Sequence, residues 1–150
     1  KQCLIADQAS VREEVVIGSM TIIGKGVSIE NKVKIGNKVK LELGCYITAL
    51  SVVEDYVFVA PMVTTTNDNF AGRNEIRKQY FKGVTIKKGG RIGGNSTILP
   101  GIVIGEDSFV GAGSVVTKDV PSRELWLGAP AKKHGMVPAD QLLENQKEGF

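Results

Sequence analysis

Aliphatic residues recur at every sixth position along most of the chain. Ile5, Val11, Ile17, Ile23, Ile29, Ile35, Leu41, Ile47, Val53 and Val59 form one unbroken run. Ile86, Ile92, Ile98, Ile104, Val110 and Val116 form a second, with Pro121 closing its last hexapeptide. Four positions after these residues stands a small or β-branched one in many repeats, as at Ala9, Thr21, Val27, Val33, Ser51, Ser96 and Ser114. Neither the 3.6-residue period of an α-helix nor the two-residue period of a simple strand gives this spacing. A short strand followed by a corner, repeated three times per turn of a solenoid, does. The aliphatic residue then always points into a triangular core.

The pattern therefore predicts an all-β fold, a parallel β-helix of about five coils, each coil adding ~4.8 Å of height. Glycines are phased with it: Gly26, Gly44, Gly89, Gly101 and Gly113 share one slot, where a corner needs positive φ. Spacing alone does not set the hand, and the general crossover rule favours right-handed turns. Two departures break the repeat. The distance from Val59 to Ile86 is not a multiple of six, so a loop must leave the solenoid over about 65–85, and its residues are polar and charged. Long irregular excursions of this kind commonly carry function. From Ser122 the pattern stops, and Pro138 to about Lys147 reads as a short C-terminal helix with Pro in its first turn. The expected organisation is a single domain, with a β-helix at 1–121 and a tail at 122–150.

Outward positions of the hexapeptides include Val16, Ile22, Tyr46, Val52, Phe58, Val103, Phe109 and Val115. Apolar surface of that extent predicts self-association of solenoids side by side. Composition narrows the partners further. The net charge of +3 is dispersed through 150 residues, which gives no basic stripe for nucleic acid. No apolar window is long enough for a membrane span, and Asp7, Arg12, Glu13 and Glu14 stand where a signal peptide needs an apolar run, so a cytoplasmic protein is expected. Cys3 and Cys45 fall on different faces of the solenoid and read as two small buried fillers.

The segments Ile92-Gly93-Gly94-Asn95-Ser96-Thr97-Ile98-Leu99-Pro100-Gly101, Val110-Gly111-Ala112-Gly113-Ser114-Val115-Val116-Thr117-Lys118-Asp119-Val120-Pro121 and Gly128-Ala129-Pro130-Ala131 resemble the hexapeptide-repeat, left-handed β-helix acyltransferases. Thr66-Asn67, the loop through Arg73 to Arg77, and Ile86-Lys87-Lys88-Gly89 are similar to the N-acetyltransferases of nucleotide-linked 3-amino sugars in cell-surface polysaccharide synthesis. The resemblance implies a left-handed helix and a homotrimer with active sites between subunits, using acetyl-CoA as co-substrate. Carried onto this chain it places Gly94, Gly111, Ala112, Thr117 and Lys118 along the CoA, with Pro130, Ala131, Lys132 and Lys133 near its nucleotide end. Lysine ammoniums suit phosphate charges as mobile point cations.

Acetyl transfer to a hydroxyl needs a base to take the proton as the nucleophile attacks, usually histidine. The only histidine, His134, lies in the tail, outside the loop. A neutral amine already offers a lone pair and can attack before it loses a proton. The residue inventory thus favours an amine acceptor, and the enzyme would work by alignment and polarisation. Asn67 is the first candidate for orienting the amine or thioester, with Asp68 beside it. Asp68 and Glu75 suit binding the ammonium or taking its proton, and Arg73 and Arg77 a sugar-nucleotide phosphate or carboxylate. Turn chemistry alone also explains Asn67 and Asp68. A metalloenzyme of the γ-carbonic-anhydrase kind needs several histidines, so no metal site is expected. A sugar O-acetyltransferase and a non-catalytic assembly module remain as alternatives.

Overall fold

The computed structural model describes residues 2–147, and it is a parallel β-solenoid with three faces. The first face stacks Leu4–Ile5, Ile22–Ile23, Lys40–Leu41, Phe58–Val59, Arg91–Ile92, Phe109–Val110 and Glu124–Gly128 in parallel. The second stacks Ser10–Val11, Ser28–Ile29, Tyr46–Ile47, Thr64–Thr65, Thr97–Ile98 and Val115–Val116. The third stacks Val16–Ile17, Lys34–Ile35, Val52–Val53, Thr85–Ile86 and Val103–Ile104, with Val120 bridging to Ile104. The chain visits the faces in that order, and below we call the edge between first and second faces the first edge, and so on round the prism.

The core follows the six-residue period. Ile23, Ile29, Leu41, Ile47, Val59, Ile86, Ile92, Ile98, Ile104, Val110 and Val116 are fully buried. Corners between strands need the left-handed backbone region, and they take it at glycine or at a polar or flexible residue, as at Met20, Lys38, Tyr56, Gly89, Asp107 and Arg123 along the third edge.

Three sequence expectations need correction. The prism has seven parallel layers on its first face, not about five. One further repeat was hidden because Thr65, not an aliphatic residue, occupies the inward position; it is fully buried, accepts the Thr48 N–H at 2.8 Å and donates to the Tyr46 carbonyl at 3.1 Å. The seventh layer comes from the tail, where Leu125 and Trp126 register on Phe109 and Val110. The short C-terminal helix expected from Pro138 to about Lys147 is broken into two 3-10 turns, Ala139–Gln141 and Leu143–Asn145, too short to bury an amphipathic face. The outward apolar residues do not form one patch either. A period of six moves successive residues to successive faces, so Val16, Val52 and Val103 alternate with Lys34 and Thr85 on the third face, and Ile22, Phe58 and Phe109 with Lys40 and Arg91 on the first. Most are half-buried.

Cysteine behaviour divides as well. Cys45 is fully buried, which pushes its thiol up to about 12 and leaves it inert. Cys3 is exposed, in the first layer, together with Leu4, Ile5 and Val11, which have no described coil stacked beneath them. No described helix is long and apolar enough to cross a membrane.

Candidate functional site

Across the excursion, paired positions lie 33 residues apart (Val59 with Ile92), whereas in the layer before it they lie 18 apart (Val59 with Leu41). The loop therefore inserts 15 residues into one coil. It leaves after Thr64–Thr65 at the second edge and returns at Thr85–Ile86, so its irregular part is shorter than 65–85 at both ends. Its neck is closed by the Lys82 N–H donating to the Asn67 carbonyl at 3.1 Å. Inside it, Glu75–Tyr80 forms a 3-10 helix capped by Asn74, whose side chain accepts the Arg77 N–H at 3.0 Å.

Asp68 organises this loop. One carboxylate oxygen accepts the Phe70 N–H at 2.8 Å, and the other accepts the Gly72 N–H at 2.9 Å and meets Arg77 Nε at 3.3 Å. Burial works against the charge, but the two N–H donors and the guanidinium outweigh it and hold the carboxyl below its ordinary value. Arg77 also donates to the Asn74 carbonyl and meets Glu75 at 3.2 Å, so its guanidinium is tied within the loop. Glu75 is held low by Lys78 at 2.6 Å and by Arg77. Arg73 is exposed, and its backbone N–H donates to the Phe70 carbonyl at 3.0 Å.

Asn67 is half-buried and faces a groove of ≈ 430 Å³ that runs along the second edge past Glu30, Asn31, Tyr46, Thr48 and Phe81. Sequence reasoning missed these neighbours. The signal was available in the coil length, since Asn31, Ala49 and Asn67 are spaced 18 apart and so fall in one column. Tyr46 in this groove has its hydroxyl pKa raised by burial and by the charge of Glu30.

The residues expected along a CoA separate into groups. Gly94, Gly111 and Ala112 line the first edge, and the backbone there is close-packed: a Cβ on Gly94 would lie 3.2 Å from the Pro61 carbonyl and one on Gly111 would lie 2.9 Å from Leu127 Cβ. Thr117 and Lys118 lie exposed on the second edge, on the far side of the second face. Lys118 is in the column of Asn67 two layers above it, a rise of about 10 Å. The tail supplies the rest. Ala131–Met136 returns antiparallel to Glu124–Gly128, with Pro130 in the turn behind a cis peptide, Ala131 buried and Lys132 exposed. Lys133 bonds Glu124 at 2.7 Å, and Glu124 also accepts the Trp126 indole N–H at 2.8 Å; both contacts lower its pKa. His134 is exposed in a bulge of this hairpin, on a different part of the prism from the loop. No group of three or more histidine, cysteine or acidic side chains suited to a metal occurs among the described residues.

Models of the bacterial transferase hexapeptide (six repeats) and of the hexapeptide repeat of succinyl-transferase match residues 83–118 and 9–49 respectively. The chain thus carries hexapeptide repeats on both sides of the loop, and its all-β parallel solenoid is the fold of the hexapeptide acyltransferases. It is 37% identical over 93 residues to galactoside O-acetyltransferase of Escherichia coli K12, covering 55% of this chain and 46% of that protein. It is 49% identical over 59 residues to dTDP-3-amino-3,6-dideoxy-alpha-D-galactopyranose 3-N-acetyltransferase of Aneurinibacillus thermoaerophilus, covering 39% of this chain and 31% of that protein. A His→Asn variant of perosamine N-acetyltransferase from Caulobacter crescentus, solved with CoA and GDP-perosamine, superposes with a TM-score of 0.77 at 26% identity, covering 89% of this chain and 56% of that one. The chain thus spans less than half the length of these two curated relatives.

Proposed function

We propose that this chain is the β-helical body of an acetyl-CoA-dependent N-acetyltransferase that modifies the amino group of a nucleotide-linked amino sugar. The observation that carries the reading is the chemistry of the second-edge loop. It contains no histidine, and both oxygens of Asp68 already accept hydrogen bonds. Asn67 is left facing the groove with an amide that can orient a nucleophile or a thioester carbonyl but cannot take a proton. An amine acceptor tolerates that, because its lone pair attacks the thioester carbon directly. The C–N bond forms, the C–S bond breaks, and the amine proton can leave with the CoA thiolate.

The two edges also bear on assembly. Gly94, Gly111 and Ala112 on the first edge and Thr117 and Lys118 on the second cannot face each other within one prism. Two prisms side by side can set the first edge of one against the second edge of its neighbour. Such a head-to-tail contact closes as a ring, and a three-sided prism with one cleft per neighbour suits three copies. The cleft would then hold acetyl-CoA between subunits, beside the acceptor groove under Asn67.

The galactoside O-acetyltransferase match supports a second reading, transfer to a sugar hydroxyl. For that, a base must come from outside the loop, and His134 is the only histidine. The experiment is release of free CoA thiol from acetyl-CoA in the presence of thymidine- or uridine-linked amino sugars, or of the corresponding hydroxyl sugars. Amine-dependent release that falls about 100-fold or more in Asn67→Ala and persists in His134→Ala is expected, by the size of a lost polarising contact. Release that needs a hydroxyl acceptor and dies with His134 would establish the O-transfer reading instead.

A further inference from the structure

The third edge is not used by any part of the proposed transfer site, yet it carries a groove of ≈ 750 Å³, larger than the one at Asn67. Its construction begins with the column of left-handed corners. Met20, Lys38, Tyr56, Gly89, Asp107 and Arg123 succeed one another there, all at positive φ, so their side chains project along the edge. Gly89 leaves a notch in that column. A Cβ at this position would come within 2.5 Å of Leu143 Cδ1 and 2.6 Å of Asp107 Oδ1. The tail fills the notch: Leu143 sits against Gly89, and its N–H donates to the Asp107 carboxylate at 3.2 Å. Arg123 meets Glu144 at 3.1 Å and Arg91 donates to Gln141 at 3.1 Å, so the tail is fastened on both sides of the notch.

The strapped tail closes a groove over Tyr56. Two ammonium groups point at that one ring, Lys38 Nζ at 5.2 Å and Lys88 Nζ at 5.9 Å from its centroid. Neither has a carboxylate within 4.0 Å among the described residues. Lys147 lines the same groove. The lining also holds Arg123 and three carboxylates: Glu144 is paired with Arg123, and Lys38, Lys88 and Lys147 outnumber the two that remain, Glu106 and Asp107. A ring face attracts one cation by about 0.5–1 kcal/mol at an exposed site. It does not cancel the mutual repulsion of two. An anion placed between Lys38 and Lys88 would.

We propose that this groove is an anion site for a diphosphate-bearing small molecule, gripped by Lys38 and Lys88 with Tyr56 as its floor. The assignment does not depend on acyl transfer. The diphosphate could belong to a sugar nucleotide or to CoA, and the shared chemistry is the same. Titration calorimetry with inorganic pyrophosphate at low salt is the direct test. Saturable binding at one site per chain is expected, weakened about tenfold or more in Lys38→Gln/Lys88→Gln, as the loss of two charge-assisted contacts requires. A control of equal charge loss, Lys25→Gln/Lys78→Gln, removes lysines far from the groove and should change affinity less than about twofold. Equal weakening in both double variants would reduce the effect to net charge and overturn the proposal, as would the absence of saturation at millimolar pyrophosphate. Displacement of bound pyrophosphate by UDP and not by CoA assigns the sugar nucleotide as the source. Displacement by CoA and not by UDP assigns the acyl carrier.

Discussion

At the second edge, the same few residues of chain pass from one kind of structure to another. Ile47 and Ile98, on the layers that flank the excursion, are completely buried, while Glu75–Tyr80 in the loop between them buries no residue. The prism gains stability from repetition, since each layer gives its neighbours both apolar area and backbone partners. Among the described residues the loop has one ring contact, Phe70 with Tyr80 at 5.8 Å, and is otherwise shaped by the polar set around Asp68. A region held by a few directional contacts can present side chains to a ligand and can change without cost to the body. That is the division expected where a scaffold carries a site.

The sharpest way to break this comparison is to damage each region equally and measure stability. Ile98→Ala removes a fully buried side chain from a close-packed prism, and should cost about 2–5 kcal/mol in denaturant unfolding. Arg73→Ala in the loop removes an exposed side chain and should stay within about 0.5 kcal/mol of the parent. If the two cost the same, the loop is part of the core and the contrast is mistaken. Thr65→Val should fall between them. It keeps the volume but strands the Thr48 N–H, now bonded at 2.8 Å, and an unsatisfied buried donor costs about 1–3 kcal/mol.

Thr65 also shows what the sequence could and could not carry. The period of six is enforced by geometry at every layer, so it is written redundantly, and the solenoid was legible without any relative. A single polar residue in an inward slot obscured one strand. Only its hydroxyl bonds to the neighbouring coil explain why it is tolerated. Leu125 and Trp126 lie outside the period yet stack as a further layer, because a parallel strand needs only an open edge to join. The loop was visible as a phase slip and Asn67 as a polar residue at the point where it leaves the solenoid. What could not be read was that Asp68 and Arg77 bond each other, since that depends on a fold-back with no periodic signature. The column of Asn31, Ala49 and Asn67 was legible in principle, at the coil period of 18 and not at six.

The smallest effect expected is also the most selective. Asp68 has its pKa depressed in the folded loop, so it contributes stability that is fully present above the ordinary carboxylate range. That contribution is lost as pH falls through the depressed value. Protonation removes the charge that Arg77 meets and weakens the acceptance of the Phe70 and Gly72 N–H groups. The loop should therefore loosen in acid while the prism, held by apolar layers, does not. Hydrogen exchange of the Phe70 and Gly72 amides, corrected for intrinsic rate, reads the loop, and exchange at Ile47 and Ile98 reads the body. Loop amides that lose protection below pH ~4, with body amides unchanged, would place the transition on the carboxylate. Asp68→Asn should give loosened Phe70 and Gly72 amides at every pH, and any acid step that remains in the loop would belong to Glu75. A loop that stays protected in Asp68→Asn at neutral pH would show that Asp68 does not hold it, and would return this carboxylate to the pool of groups free to act on a substrate.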